Sequence, residues 1–99
     1  MFIHNVFFWL KEKDNEEARQ ALLAGIKSLE AIESIETAYI GPPAATRRPV
    51  IDATYDFAEI LIFADEAAHD VYQVHPLHKK FIEDCAHLWE RVLIYDVEA

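Results

Sequence analysis

One cysteine in 99 residues leaves no internal disulfide to form, and a lone thiol fits a reducing compartment. Basic residues are also scarce. Nine Lys and Arg stand against 18 Asp and Glu, a formal charge of −9. A surface that tracks phosphates needs the opposite sign, which argues against general nucleic-acid binding. No apolar run approaches the roughly 20 residues of a membrane span, and Met1–Asn5 lacks the basic segment that opens a signal peptide. The chain has no P-loop, no dinucleotide fingerprint and no G-x-S-x-G turn, so no cofactor is expected. What it does have is apolar character: 53% hydrophobic residues, far more than an acidic disordered tail carries. These bounds describe a cytoplasmic, acidic, single domain over residues 1–99.

The apolar residues are organised. Phe2–Leu10 is rich in aromatic and β-branched residues and reads as a strand that is apolar on both faces, hence covered on both sides. Asp14 and Glu17 form a plausible capping pair for a helix whose stripe runs Ala18, Leu22, Gly25 or Ile26, Leu29 and Ile32. A second strand covers Ile35–Ile40 and stops at Gly41-Pro42-Pro43. Residues 41–54 form the one long loop, with three of the four prolines and the Arg47-Arg48 pair; the alternatives are a lid or partner-clasping arm and a solvated connector. Tyr55–Phe63 reads as a strand, Asp65 caps a short helix to about Val74, and Pro76 opens another, whose stripe is Leu77, Phe81, Cys85, Leu88 and Trp89. Val92–Val97 closes the chain as a strand.

The order β-α-β-β-α-α-β is that of an α+β, ferredoxin-like fold: a four-stranded antiparallel sheet with helices on one face. The other face carries Asn5, Phe7, Trp9, Ala58, Ile60, Ile62, Leu93, Tyr95 and Val97. A bare apolar sheet is a partner surface, and an identical chain on a two-fold axis is the simplest partner, so a homodimer is expected.

Single residues stand out against this pattern. Glu59 lies mid-strand on the face of Phe57, Leu61 and Phe63, where alternation demands an apolar side chain. A carboxylate there must be protonated, paired or solvated. Neighbouring strands make His4 a candidate partner, with a salt bridge at a pocket mouth as the alternative. His4 itself sits among Val6 and Phe8, where a satisfied core histidine is the commoner outcome. Five histidines invite a metal reading, through His75, His78, His4 and Glu59, but no strong metal-ligand spacing is present and no metal is expected. His69 and His87 read as solvent-facing, and Cys85 as a small hydrophobe.

The segment Tyr72-Gln73-Val74-His75-Pro76-Leu77-His78, with His4 in an H-x-V-x-F strand, the strand YDFAEILIF and the ending WERVLIYD, resembles the stress-responsive α/β-barrel (Dabb) family over nearly the whole chain. The resemblance implies a ferredoxin-like protomer whose sheet pairs face to face with a second one, a dimeric α/β barrel. Most members of that family have no established activity. A plant polyketide cyclase of this type uses a Tyr and a His for aldol-type ring closure, at positions matching Tyr72 and His78, with His4 and His75 nearby. Where that cyclase has a further His in its third strand, this chain has Phe57, and Leu22 and Gly25 replace bulkier aromatics, so polyketide specificity does not carry over.

The resulting expectation is a pocket between sheet and helices that binds a small hydrophobic or aromatic molecule. His78, at a helix N-terminus that favours its neutral form, would be the general base, Tyr72 the enolate donor, and Glu59 or His4 the orienting groups. His75, Trp89, Phe57, Val6, Phe8 and Ile82 would contact the ligand. Cofactor-independent cyclase, isomerase or lyase chemistry follows from that set; the alternative is a non-catalytic, stress-associated structural dimer.

Overall fold

The computed structural model describes residues 1–99. Strand β1 (Phe2–Leu10) runs through the middle of a four-stranded sheet ordered β2-β3-β1-β4, with β2 at Thr37–Gly41, β3 at Phe57–Phe63 and β4 at Trp89–Glu98. Every neighbouring pair is antiparallel. Helices α1 (Glu16–Ser28), α2 (Glu66–Val74) and α3 (Pro76–Cys85) complete the expected ferredoxin-like α+β architecture.

Several boundaries move from their sequence-based positions, each for a local reason. Asn15, not Asp14, caps α1, because its extended backbone lets its side chain accept from the Ala18 N–H at 3.0 Å. β3 begins at Phe57 rather than Tyr55: the Asp56 carboxylate, not a backbone carbonyl, accepts from the Leu10 N–H at 2.8 Å and closes the ladder there. The helix expected to reach Trp89 ends at Cys85, and a 3₁₀ turn follows at Ala86–Leu88. The Lys11 N–H donates to the Leu88 carbonyl at 3.0 Å, which draws the chain into the sheet and makes Trp89 the first residue of β4.

The core lies between the sheet and the helices. The α1 stripe Ala18, Leu22 and Ile26, with Leu29 and Ile32 beyond it, packs on Val6, Phe8, Phe57, Leu61 and Phe63. Gly25 lies where α1 passes closest to α3: a Cβ there would stand 2.4 Å from the Cys85 sulfur. Gly25→Ala should therefore destabilise the protein, the overpacking penalty of about 1–3 kcal/mol outweighing about 1 kcal/mol of helix propensity gained. Chemical denaturation checks this, and adding Cys85→Ala should restore most of the loss.

The opposite sheet face has no helix of its own. Across it run cross-strand rows Tyr39–Ile60–Asn5–Tyr95 and Thr37–Ile62–Ile3–Val97. Tyr39 and Tyr95 are 61% and 60% exposed. Trp9 lies on this face beside Phe7, Tyr55 and Leu93, as strand alternation predicts, but it is buried within its own chain. Its indole N–H donates to the Thr54 hydroxyl at 2.9 Å, and the Arg91 guanidinium covers the ring at 4.3 Å. The 41–54 loop thus anchors one edge of this face.

Candidate active site

A cavity of about 130 Å³ lies between the sheet and helices α2 and α3, and eight of its 12 lining residues are hydrophobic. Strand β1 contributes His4, Val6 and Phe8, and β3 contributes Glu59. Tyr72 and Gln73 come from α2; His78, Phe81 and Ile82 come from α3. Trp89, Val92 and Ile94 of β4 close the third side, with Ile82 and Ile94 exposed at the rim. No residue of the 41–54 loop lines it, so that loop is no lid over this cavity.

The local structure explains how polar groups reach an apolar space. The break between α2 and α3 is set by His75, which is C-cap of one helix and N-cap of the other, followed by Pro76 at the first helical position. That kink sets Tyr72 and His78 edge to face, ring centroids 4.8 Å apart. Strand pleating points His4 and Glu59 to the helix side. Register keeps those two apart: His4 stands opposite Leu61 and Asp96, and Glu59 opposite Val6 and Ile40.

The expected His4–Glu59 pairing is accordingly absent. His4 Nδ1 instead lies 2.6 Å from Asp96 Oδ1. A carboxylate acceptor at Nδ1 fixes the proton there and leaves Nε2 as the acceptor nitrogen. Burial lowers the His4 pKa, outweighing the Asp96 bond and charge, which raise it, while His69 lowers it a little further. The Glu59 partner is the Tyr72 hydroxyl, which donates to Oε1 at 3.3 Å, a long bond for two oxygens. Oε2 is buried without any partner, and no salt bridge reaches the residue. Burial pushes the Glu59 carboxyl up to about 8 against the opposing Tyr72 bond, so it is a neutral acid at pH 7. Tyr72 is held far above the usual phenol range by burial and then by Glu59, and keeps its proton. Burial, with the charges of His4 and His69 behind it, lowers the His78 pKa and keeps that ring neutral.

The cavity therefore gathers His4, Glu59, Tyr72, His78, Trp89, Val6, Phe8 and Ile82. His75 and Phe57, expected to touch a ligand, do not line it. The Nδ1 of His75 accepts from the Leu77 N–H at 3.1 Å, and its Nε2 turns toward Glu33. Phe57 sits at the far end of β3 beneath the Arg19 guanidinium. His69, expected in solvent, is buried. The inward face of α2 carries it with Tyr72, and it packs against Phe2 and His4 at 4.5 and 4.7 Å.

Sequence reasoning assigns no role to Asp96, although alternation along β4 puts it on the helix side with Val92 and Ile94, at the exposed end of the strand. His4, His69 and Asp96 are the three side chains that could hold a metal ion, each offering a ligand atom within 4.8 Å of the others. The 2.6 Å His4–Asp96 separation is that of a proton-sharing pair. Two atoms on one tetrahedral zinc ion stand about 3.4 Å apart at bonds of about 2.1 Å.

Fold and cavity define a ferredoxin-like protein with a ligand-sized space between sheet and helices. The sequence profile of the stress responsive A/B barrel domain, Dabb, matches residues 2–99, and the chain belongs to that family. A Dabb family protein with a ferredoxin-like fold from Mesorhizobium loti is 30% identical, with a TM-score of 0.80 over 99% of this chain and 95% of that one. A dimeric ferredoxin-like protein of unknown function from Thermobifida fusca superposes with a TM-score of 0.80 at 17% identity, covering 99% of this chain and 90% of its own. A hydroxynitrile lyase from Passiflora edulis shares the fold with a TM-score of 0.76 at 17% identity, over 97% of this chain and 90% of the lyase. No curated protein matches the sequence.

Proposed function

We propose that this Dabb protein is a homodimer whose protomers each bind a small hydrophobic or aromatic molecule between sheet and helices, and carry out cofactor-independent acid–base chemistry next to a carbonyl. The observation that supports it is the convergence of two neutral imidazoles and a tyrosine on an apolar cavity. His78 is the general base: an uncharged ring at the helix break can take a proton from a carbon beside a carbonyl. Tyr72 donates to the enolate oxygen that develops. Its long bond to Glu59 is one that a ligand oxygen can replace. His4, oriented by Asp96, offers a second nitrogen that can relay the proton.

Exchange of the α-protons of cyclohexanone with D₂O, followed by NMR, tests this without knowledge of the natural substrate. The protein should accelerate exchange, and His78→Ala should remove about 10²–10⁴ of the acceleration with little change in melting temperature. Exchange no faster than in buffer would overturn the catalytic reading and leave the structural dimer.

The dimer reading draws on the bare sheet face, with Asn5, Phe7, Ile60, Ile62, Leu93 and Tyr95, and on the dimeric relatives of the same fold. Trp9, already covered by Thr54 and Arg91, is a poor probe, because changing it damages the protomer. Tyr95 is free of that problem at 60% exposure. Tyr95→Glu should yield folded monomers in light scattering; a persistent dimer would place the interface elsewhere.

A further inference from the structure

Glu59 has an oxygen that nothing in the protein uses. It is 1% exposed, its cross-strand neighbours are the apolar Val6 and Ile40, and Oε1 is taken by Tyr72 while Oε2 has no partner. A buried polar atom without a partner costs free energy that a sequence readily avoids with Leu or Val at the same position. The residue lines the cavity, so a molecule bound there can supply the missing partner.

What that molecule carries follows from the groups facing Glu59. From β1 comes His4, from α2 Tyr72 with His69 behind it, and from α3 His78; Asp96 of β4 is engaged with His4. No Lys or Arg lines the cavity, so nothing there balances a carboxylate on the protein or on the ligand. With no counter-charge Glu59 is a carboxylic acid, Oε1 accepting from Tyr72 and Oε2 carrying a proton to donate. The volume of about 130 Å³ is slightly below the roughly 150 Å³ of an engineered apolar cavity that holds benzene, so one ring fits, not two.

We propose that Glu59 selects the ligand: its carboxylic acid donates from Oε2 to an uncharged carbonyl oxygen, so that the site takes neutral carbonyl compounds of single-ring size and rejects carboxylates. Tyr72 then keeps its bond to Oε1 while Oε2 addresses the ligand oxygen, so the acid gains the partner it lacks. The inference rests on reading the cavity as a ligand site, but it concerns equilibrium recognition and not turnover.

Three probes of one shape decide it: cyclohexanone, cyclohexanecarboxylate and cyclohexylammonium, titrated at pH 6.5 against the Tyr72 and His78 ring signals by NMR. Cyclohexanone should bind at least about tenfold more tightly than either ion. Glu59→Leu should weaken cyclohexanone binding by a similar factor, whereas Glu59→Gln, a neutral side chain that still donates, should keep it. In the wild-type protein cyclohexanone binding should weaken above pH 8 as the acid ionises, and Glu59→Gln should remove that dependence. The wild-type infrared spectrum should also show a protonated-carboxyl stretch that Glu59→Gln abolishes. Preferred binding of cyclohexylammonium, or equal cyclohexanone affinity in wild type, Glu59→Leu and Glu59→Gln, would overturn the assignment while leaving the cavity a ligand site. Failure of all three probes to bind would overturn both.

Discussion

Asp56→Ala should lower stability by about 3 kcal/mol, because it strands a buried backbone donor and removes the partner of two partly exposed cations at once. The Asp56 carboxylate is buried where β1 ends and accepts from the Leu10 N–H at 2.8 Å, Lys13 Nζ at 3.0 Å and Arg19 Nη2 at 2.7 Å. Leu10 is fully buried, so its N–H finds no water when the acceptor goes. Arg19 is also fixed over the Phe57 ring, so it cannot swing freely into solvent. A domain of this length loses roughly 4–8 °C of melting temperature per kcal/mol, so a fall of roughly 12–24 °C is expected in calorimetry. Asp56→Asn, which keeps one acceptor oxygen, should lose less. A fall of only a degree or two for Asp56→Ala would show the three bonds to be solvent-screened surface contacts.

The same residue shows where a sequence stops being readable. Strand alternation alone assigns Asp56 to the bare sheet face with Ala58 and Ile60, because a period of two carries no information about the residue just before a strand turning aside. Its partners lie 46, 43 and 37 residues away in the chain, and no local pattern links them. Glu59 was legible for the opposite reason: it violates a clean alternation within an otherwise apolar strand face. Its partner was not, because pairing depends on register, and register set His4 opposite Asp96. The strand and helix order followed from periodicity and capping, and the kink at His75-Pro76 from proline chemistry. Trp89 was misplaced on a helix because apolar spacing continues unchanged across the 3₁₀ turn into β4. His69 was misread because a short helix offers too few residues to define which of its faces is buried.

Glu59 should also leave a signature in stability against pH, opposite in sign to that of an ordinary carboxylate. Its folded-state pKa is raised from 4.5 to about 8, so between those values the folded protein holds a proton that the unfolded chain has released. Stability then falls as pH rises, by up to about 1.4 kcal/mol per unit. His4 and His78 act the other way: burial holds their folded pKa values below 6.5, so their contribution is complete well above 6.5 and is lost as pH drops. The two effects oppose each other around pH 6.5 and separate well above it. Asp56 adds nothing in that upper window, because the Leu10 amide and the Lys13 and Arg19 charges outweigh burial and hold its pKa below the ordinary carboxylate value. From pH 6.5 to 8 the wild-type protein should therefore lose about 1 kcal/mol in urea denaturation at fixed protein concentration, the Glu59 loss being partly offset as the unfolded-state histidines finish deprotonating. Glu59→Gln should lose nothing over that range, and Glu59→Leu, which also removes the orphan oxygen, should lose nothing and be more stable than wild type at pH 8. A wild-type protein as stable at pH 8 as at 6.5 would mean that Glu59 is ionised in the fold, with a counter-charge or solvent reaching Oε2.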